Sequence, residues 1–191
     1  MQMRKLEKWV VNSDLCNFLH KTIIFPRFFN FINKEIKGKA LEIGCGIGMT
    51  SKLITQRYKS IKLFAVDYDK EQIQKAKKNK KLRSIKFING DATNLNFRNS
   101  SFDYVIETNT FHHIENYSTA IKEVYRVLKP DGTFYLMDLS KYLFIWPIRL
   151  VFPPESYFTK KEFISQLEKN GFKIEKSNGK LLFFIIARKI S

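Results

Sequence analysis

The stretch Leu41-Glu42-Ile43-Gly44-Cys45-Gly46-Ile47-Gly48 runs an apolar strand, Lys39–Ile43, into three alternate glycines. A helical pattern follows at once over Met49–Tyr58, with Leu53 and Ile54 inward. Glycines at a strand-to-helix turn permit positive φ angles and let a ligand approach the main chain closely. The next strand, Ile61–Val66, ends at Asp67, 19 residues beyond Gly48, well placed to accept hydrogen bonds from a ribose diol. The two features together imply a nucleoside-containing ligand.

Which nucleoside follows from three details. A dinucleotide fingerprint would read G-x-G-x-x-G, but counted from Gly44 its third glycine falls on Met49, which is too large. Glu42 lies beneath the loop, where a carboxylate would repel a pyrophosphate. No Gly-Lys-Ser/Thr follows the glycines, so a phosphate-cradling loop is absent. S-adenosylmethionine fits all three: a sulfonium and an ammonium for the acidic loop, a ribose for Asp67, and no phosphate.

Outward from this loop, strands alternate with helices. Asp69-x-x-Gln72 opens the second helix with a capping-box pattern. Ile85–Ile88 and Tyr104–Ile106 read as short strands, and Asp103 as a residue that orders the start of the latter. A helix carrying Ile121, Val124, Tyr125 and Leu128 is stopped by Lys129-Pro130-Asp131-Gly132, and Thr133–Met137 is the fifth strand. Such alternation predicts an α/β, three-layer sandwich around a mostly parallel sheet. The end departs from it. Thr159-x-x-Glu162 caps a helix ending at Asn170-Gly171, and Phe172–Glu175, a Ser177-Asn178-Gly179 turn and Leu181–Ala187 form a hairpin. The last strand is therefore antiparallel, and its unbroken apolar run predicts burial on both faces. Residues 1–37 read as helical and aromatic, with Leu6, Trp9 and Val10 on one face and a second helix beginning near Pro26.

Length and composition set the outer bounds. The chain has 191 residues, 44% hydrophobic and 15% aromatic, which suits one domain with a full core and excludes disorder as the main state. The 34 Lys+Arg against 18 Asp+Glu give a formal charge of +16. That excess suits an anionic partner, nucleic acid or membrane, or reflects only a Lys-, Ile-, Asn- and Phe-rich composition. Two cysteines, Cys16 and Cys45, make no disulfide framework and point to a reducing compartment. No secretory signal or run long enough to span a bilayer is visible, so the expected location is cytoplasmic, with at most peripheral membrane contact.

Over residues 38–188 the sequence resembles the class I S-adenosylmethionine-dependent methyltransferases. Glu42-x-Gly44-x-Gly46-x-Gly48 is similar to that family's first motif, and Ala65-Val66-Asp67-Tyr68-Asp69 to its acidic second motif. Asn89-Gly90-Asp91-Ala92, Ser101–Ile106 and Glu123–Gly132 resemble later segments. The resemblance implies a Rossmann-like fold with strand order 3-2-1-4-5-7-6 and S-adenosyl-L-methionine as cofactor. It implies cofactor contacts from Glu42, Gly44, Cys45, Gly46 and Gly48, a ribose contact from Asp67 and adenine packing from Tyr68. Asp91 would accept from the adenine amino group and the Ala92 amide would donate to the ring. Glu107 and Asn109, after the fourth strand, complete the expected cofactor set. Cys45 reads as a small loop residue and not a nucleophile.

The acceptor is read from what surrounds the loop. Methyl transfer from a sulfonium asks for alignment, exclusion of water and sometimes a base. No metal is expected: adjacent histidines such as His112 and His113 do not project together as ligands would. In Thr110-Phe111-His112-His113-Ile114, similar to small-molecule members of the family, one histidine is a candidate catalytic base, His113 the better of the two, against the reading of both as a structural pair. The segment Glu107-Thr108-Asn109-Thr110 lacks the marks of nucleobase methylators. Seven cations lie among the 12 residues Lys75–Lys86, a solvated helix face before it is a phosphate patch. Tyr142–Pro154 is strongly apolar and, with the N-terminal aromatic helices, is expected to cover the acceptor site, with Phe144 and Trp146 lining or roofing it. These features favour a small, apolar or lipid-like acceptor. An RNA or protein acceptor using the basic surface is the alternative, and oligomeric state is left open. The chain then divides into a helical cap (1–37), a cofactor-binding core (38–138), an apolar lid (139–158) and a last helix with hairpin (159–191), all within one domain.

Overall fold

The computed structural model describes residues 9, 12–143 and 156–190. Seven strands form one sheet in the order β3-β2-β1-β4-β5-β7-β6. They are β1 (Gly38–Ile43), β2 (Ile61–Asp67), β3 (Lys86–Asn89), β4 (Phe102–Thr108), β5 (Leu128–Leu139), β6 (Phe172–Gly179) and β7 (Leu182–Lys189). Strands β1 to β5 pair parallel, and β7 pairs antiparallel with both β5 and β6. The expected order and the antiparallel last strand are both present.

Alternate residues of each central strand feed two cores. Ala40, Ala65, Ile106, Met137 and Ile186 face helices α2 (Phe25–Ile32), α3 (Met49–Arg57) and α4 (Lys70–Lys78). Leu41, Val66, Val105, Leu136 and Ile185 face α5 (Tyr117–Val127) and α6 (Lys160–Lys169). Strands covered on both faces need apolar residues at every position, and that is why they read as continuous runs. Caps fix the helix starts. The Asp69 carboxylate accepts from the amides of Glu71 and Gln72, and Thr159 with Glu162 forms a complete capping box.

Two local expectations are corrected. Ser177-Asn178-Gly179 is not the hairpin turn: these residues pair with Ile185, Phe184 and Phe183, and the reversal falls at Lys180-Leu181. A bulge between Ile174 and Lys176 shifts the register by one, so pairing continues through polar residues on this solvent-facing edge strand. Lys129–Gly132 does end α5, but as a loop within β5: Leu128 pairs with Phe102 and Thr133 with Tyr104. At the start, the expected helix does begin beside Pro26: α2 opens at Phe25 with the proline in its first turn, continuous with the helix before it. Helix α1 (Asp14–Leu19) runs through a π-turn (His20–Ile24) into α2. Proline has no N–H for the Thr22 carbonyl and its ring crowds that oxygen, and a widened turn just before it relieves both. Trp9 is exposed, while Leu6 and Val10 lie outside the described residues.

Candidate active site

The carboxyl ends of β1, β2, β4 and β5 open on one cavity of about 850 Å³. Gly44, Cys45, Gly46, Asp67, Tyr68, Asp91, Ala92, Asn109 and His113 all line it. Glu42, Gly48 and Glu107 are not among its lining residues.

The loop after β1 is held by its own amides. Gly44 and Cys45 both donate to the Val66 carbonyl, at 2.8 and 3.1 Å. The Asp67 carboxylate accepts the Gly46 amide at 2.7 Å and the Asp69 amide at 2.8 Å, so one side chain ties the loop to the turn after β2. Burial pushes the Asp67 pKa up, against the pull of those two bonds. At Gly44 (φ +73°) a Cβ would lie 1.9 Å from Thr110 Oγ1, whereas at Gly46 (φ +52°) it would meet nothing within 4 Å. Gly44 lets β1 and the loop after β4 approach; Gly46 leaves room for a ligand. Behind Gly48, Leu82 and Phe87 fill the space a side chain would take.

Glu42 is fully buried. Ser51 donates to one of its oxygens, and the other has no hydrogen-bond partner among the described residues. Burial, reinforced by the Asp67 charge, pushes its pKa up to about 8. The anionic floor read from the sequence is thus a neutral acid until the pH approaches that value. Cys45 is buried, and burial with the Glu42 and Asp67 charges holds its thiol well above the ordinary range; it stays protonated. Tyr68 stands on the rim, 53% exposed, on a turn fixed by Asn89, whose amide donates to the Asp67 and Tyr68 carbonyls.

The other end of the cavity follows β4. Glu107, also fully buried, accepts the Thr110 amide at 2.5 Å, and burial with the Asp138 charge raises its pKa well above the carboxylate range. Asn109 takes φ +55° and donates its amide N–H to Met137 O at 2.7 Å. Its side-chain nitrogen lies 3.4 Å from His20 Nε2, and its side-chain oxygen is buried with no hydrogen-bond partner among the described residues. His112 Nδ1 lies 2.5 Å from Asp138 Oδ1. The Asp138 carboxylate has no exposed surface and also accepts the amides of His112 and Leu139. The rings of His112 and His113 are 4.0 Å apart, and burial together with His112 drives the His113 pKa down to about 2.

Asp138 escaped the sequence reading, as did the cap residues Cys16, His20 and Ile24 that line the cavity. A signal for Asp138 existed: an acid just past the expected strand Thr133–Met137 lies beside the loop that leaves the fourth strand once the two pair, as Thr108 does with Met137. Of the apolar lid, Tyr142 is exposed and Leu143 lines the cavity; Phe144 and Trp146 lie outside the described residues. The cations of Lys75–Lys86 ride on α4, a 3-10 turn and the edge strand β3. Among the described residues no cluster of His, Cys, Asp and Glu could hold a metal ion, and no helix is long and apolar enough to cross a membrane.

A family model described as a methyltransferase domain matches residues 41–136. The chain belongs to that family. A phthiotriol/phenolphthiotriol dimycocerosates methyltransferase of Mycobacterium ulcerans is 28% identical over 84% of this chain and 59% of its own length. A demethylmenaquinone methyltransferase of Geobacillus is 31% identical over 58% of this chain and 49% of its own. The chain thus spans only about half the length of these relatives. An S-adenosylmethionine-dependent methyltransferase structure from Methanosarcina mazei superimposes with a TM-score of 0.68 at 26% identity, covering 86% of this chain and 97% of that one. The cofactor these findings indicate is S-adenosyl-L-methionine. The residues present fit it: a carboxylate at the end of β2, open space over Gly46, and an unsatisfied buried acceptor on Asn109 at the same cavity.

Proposed function

We propose that this chain is an S-adenosyl-L-methionine-dependent methyltransferase acting on a small, apolar or lipid-like acceptor. One observation carries the acceptor class. Away from the glycine loop the cavity carries an apolar part, built by Ile24 and Phe25 of the cap, Ile114, and Leu139, Leu143 and Leu182 around the end of β5, beside the polar His20, His112, His113, Glu115 and Asn116. Its volume lies at the upper end of small-molecule sites, with room for an acceptor beside the cofactor. The names of the Mycobacterium and Geobacillus relatives support the same class.

The bound cofactor supplies an electrophilic methyl group on a sulfonium. Asp67 would hold the ribose, Tyr68 would cover the adenine, and Asp91 with the Ala92 amide would read its edge. The Gly44–Gly46 backbone and Asn109 would meet the amino-acid end, with Glu42, Gly48 and Glu107 acting from behind by fixing the loops. Where the acceptor must lose a proton, we assign its removal to His112. Asp138 holds that ring through Nδ1, and His112 lines the cavity. His113, the base expected from the sequence, also lines the cavity, and burial together with His112 lowers its pKa. Cytoplasmic location with peripheral contact to an anionic membrane accords with such an acceptor. The test is incubation with methyl-tritiated cofactor and a cell extract, followed by fractionation. Label in the organic-extractable fraction is expected; label confined to RNA or protein would overturn the acceptor class.

A further inference from the structure

The helical rod from Asp14 to Ile32 is apolar on two sides. Its inner side belongs to the site, with Cys16, His20, Ile24 and Phe25 lining the cavity. Its outer side shows Leu15 (70% exposed) and Phe18 (61%) to solvent, continued by Leu19 and Ile23. A surface helix ordinarily gives its outer flank to polar residues, and here that flank is largely aliphatic and aromatic. Exposed Lys21 and Arg27 lie on the same rod, as does the exposed Asp14 at its start. After β5, exposed Tyr142 adjoins Leu143, which also lines the cavity.

The charge of the chain selects the occupant. A second copy would bring another +16 against the first, and a polynucleotide would have no use for a flank of leucine, isoleucine and phenylalanine. An anionic bilayer satisfies both features, with apolar side chains entering the acyl boundary and lysine and arginine at the headgroups. We infer that the outer flank of residues 15–23 docks this protein onto an anionic lipid surface, setting the cavity against the membrane from which its acceptor is drawn. The inference rests on the lipid-like acceptor proposed above, and it explains why the cap is apolar on both sides: one side faces the acceptor in the cavity, the other the phase that dissolves it.

The test is flotation of the full chain with phosphatidylglycerol-containing vesicles and with phosphatidylcholine alone. Binding to the anionic vesicles is expected, weakened by salt. A Leu15→Ser/Phe18→Ser variant changes no charge and replaces no residue that lines the cavity. It should lose about tenfold or more in vesicle partitioning while binding S-adenosylhomocysteine as the parent does. No flotation of the parent would overturn the inference, and so would equal flotation of parent and variant, which would mean that cations alone bind. Should the double variant lose ligand binding, a Phe18→Trp variant decides: added fluorescence quenched by brominated lipid supports docking, and added fluorescence left unquenched overturns it. Vesicle binding needs no methyl transfer. Flotation without label in lipid would therefore remove the acceptor class and keep the docking surface.

Discussion

Asp67 performs two tasks with one carboxylate: it closes the glycine loop through the Gly46 amide and is the group expected to hold the ribose. Asp67→Ala should therefore weaken S-adenosylhomocysteine binding by more than one charged hydrogen bond, about 1.5–3 kcal/mol, read by calorimetry; unchanged affinity would reject the assignment. The two glycines beside it separate fold from ligand. Gly44→Ala forces a methyl group against Thr110 and should cost several degrees of thermal stability. Gly46→Ala carries mainly the left-handed penalty, about 1–2 kcal/mol, and its methyl stands at the cavity, so its larger effect should be on ligand affinity. A comparable loss of stability in both would contradict the distinct spaces around them. Asp67 and these glycines were legible because they form a spaced pattern across one β-α-β unit. Asp138 sits in the same relation to His112 across β4 and β5, but no glycine loop or capping pattern beside it marks the pair. Asp138→Asn should leave ligand affinity intact and impair methyl transfer to an acceptor that must be deprotonated.

At the scale of elements, the sequence was most readable where one local interaction dictates a boundary. Thr159 and Glu162 exchange reciprocal bonds at the start of α6, and that pattern is visible four residues at a time. Thr159→Ala should cost about 1 kcal/mol, lowering the melting temperature by roughly 2–4 °C in a chain of this size. An unchanged melting temperature would mean that the helix is held by Phe163 and Leu167 in the core alone. The hairpin was less readable. Ser-Asn-Gly is a sound turn signal, yet β7 offers partners through Gly179, and the added ladder bonds override the local preference. The N-terminal rod was least readable in detail. Proline suits the first turn of a helix, and nothing local distinguishes that start from a helix that widens to admit it. Only packing of Phe25, Phe28, Phe31 and Ile32 against the sheet holds the rod continuous.

For the whole molecule, the buried ionisable groups impose a pH dependence that the net charge does not reveal. Glu42 has a folded pKa of about 8 against an ordinary 4.5. Between these values the unfolded chain has released a proton that the folded chain keeps. Its contribution to stability is complete below about 4.5 and is lost as pH rises through 8, at up to about 1.4 kcal/mol per pH unit. Glu107, raised by burial and by Asp138, acts in the same direction. His113 acts in the opposite one. Its folded pKa of about 2 lies below the ordinary 6.5, so its contribution is present above 6.5 and is lost as pH falls. From 4.5 to 6.5 the slopes of Glu42 and His113 oppose each other; from 6.5 to 8 the opposing slope of His113 is gone and that of the buried glutamates remains. Thermal unfolding without ligand, at constant ionic strength, should show stability declining from pH 6.5 to 8. In Glu42→Gln the side chain keeps an acceptor for Ser51 and has no proton to lose, so that decline should be clearly shallower. Parallel declines in parent and variant would show that Glu42 ionises in the folded protein as readily as in the unfolded one. The unsatisfied oxygen beneath the glycine loop would then need another explanation.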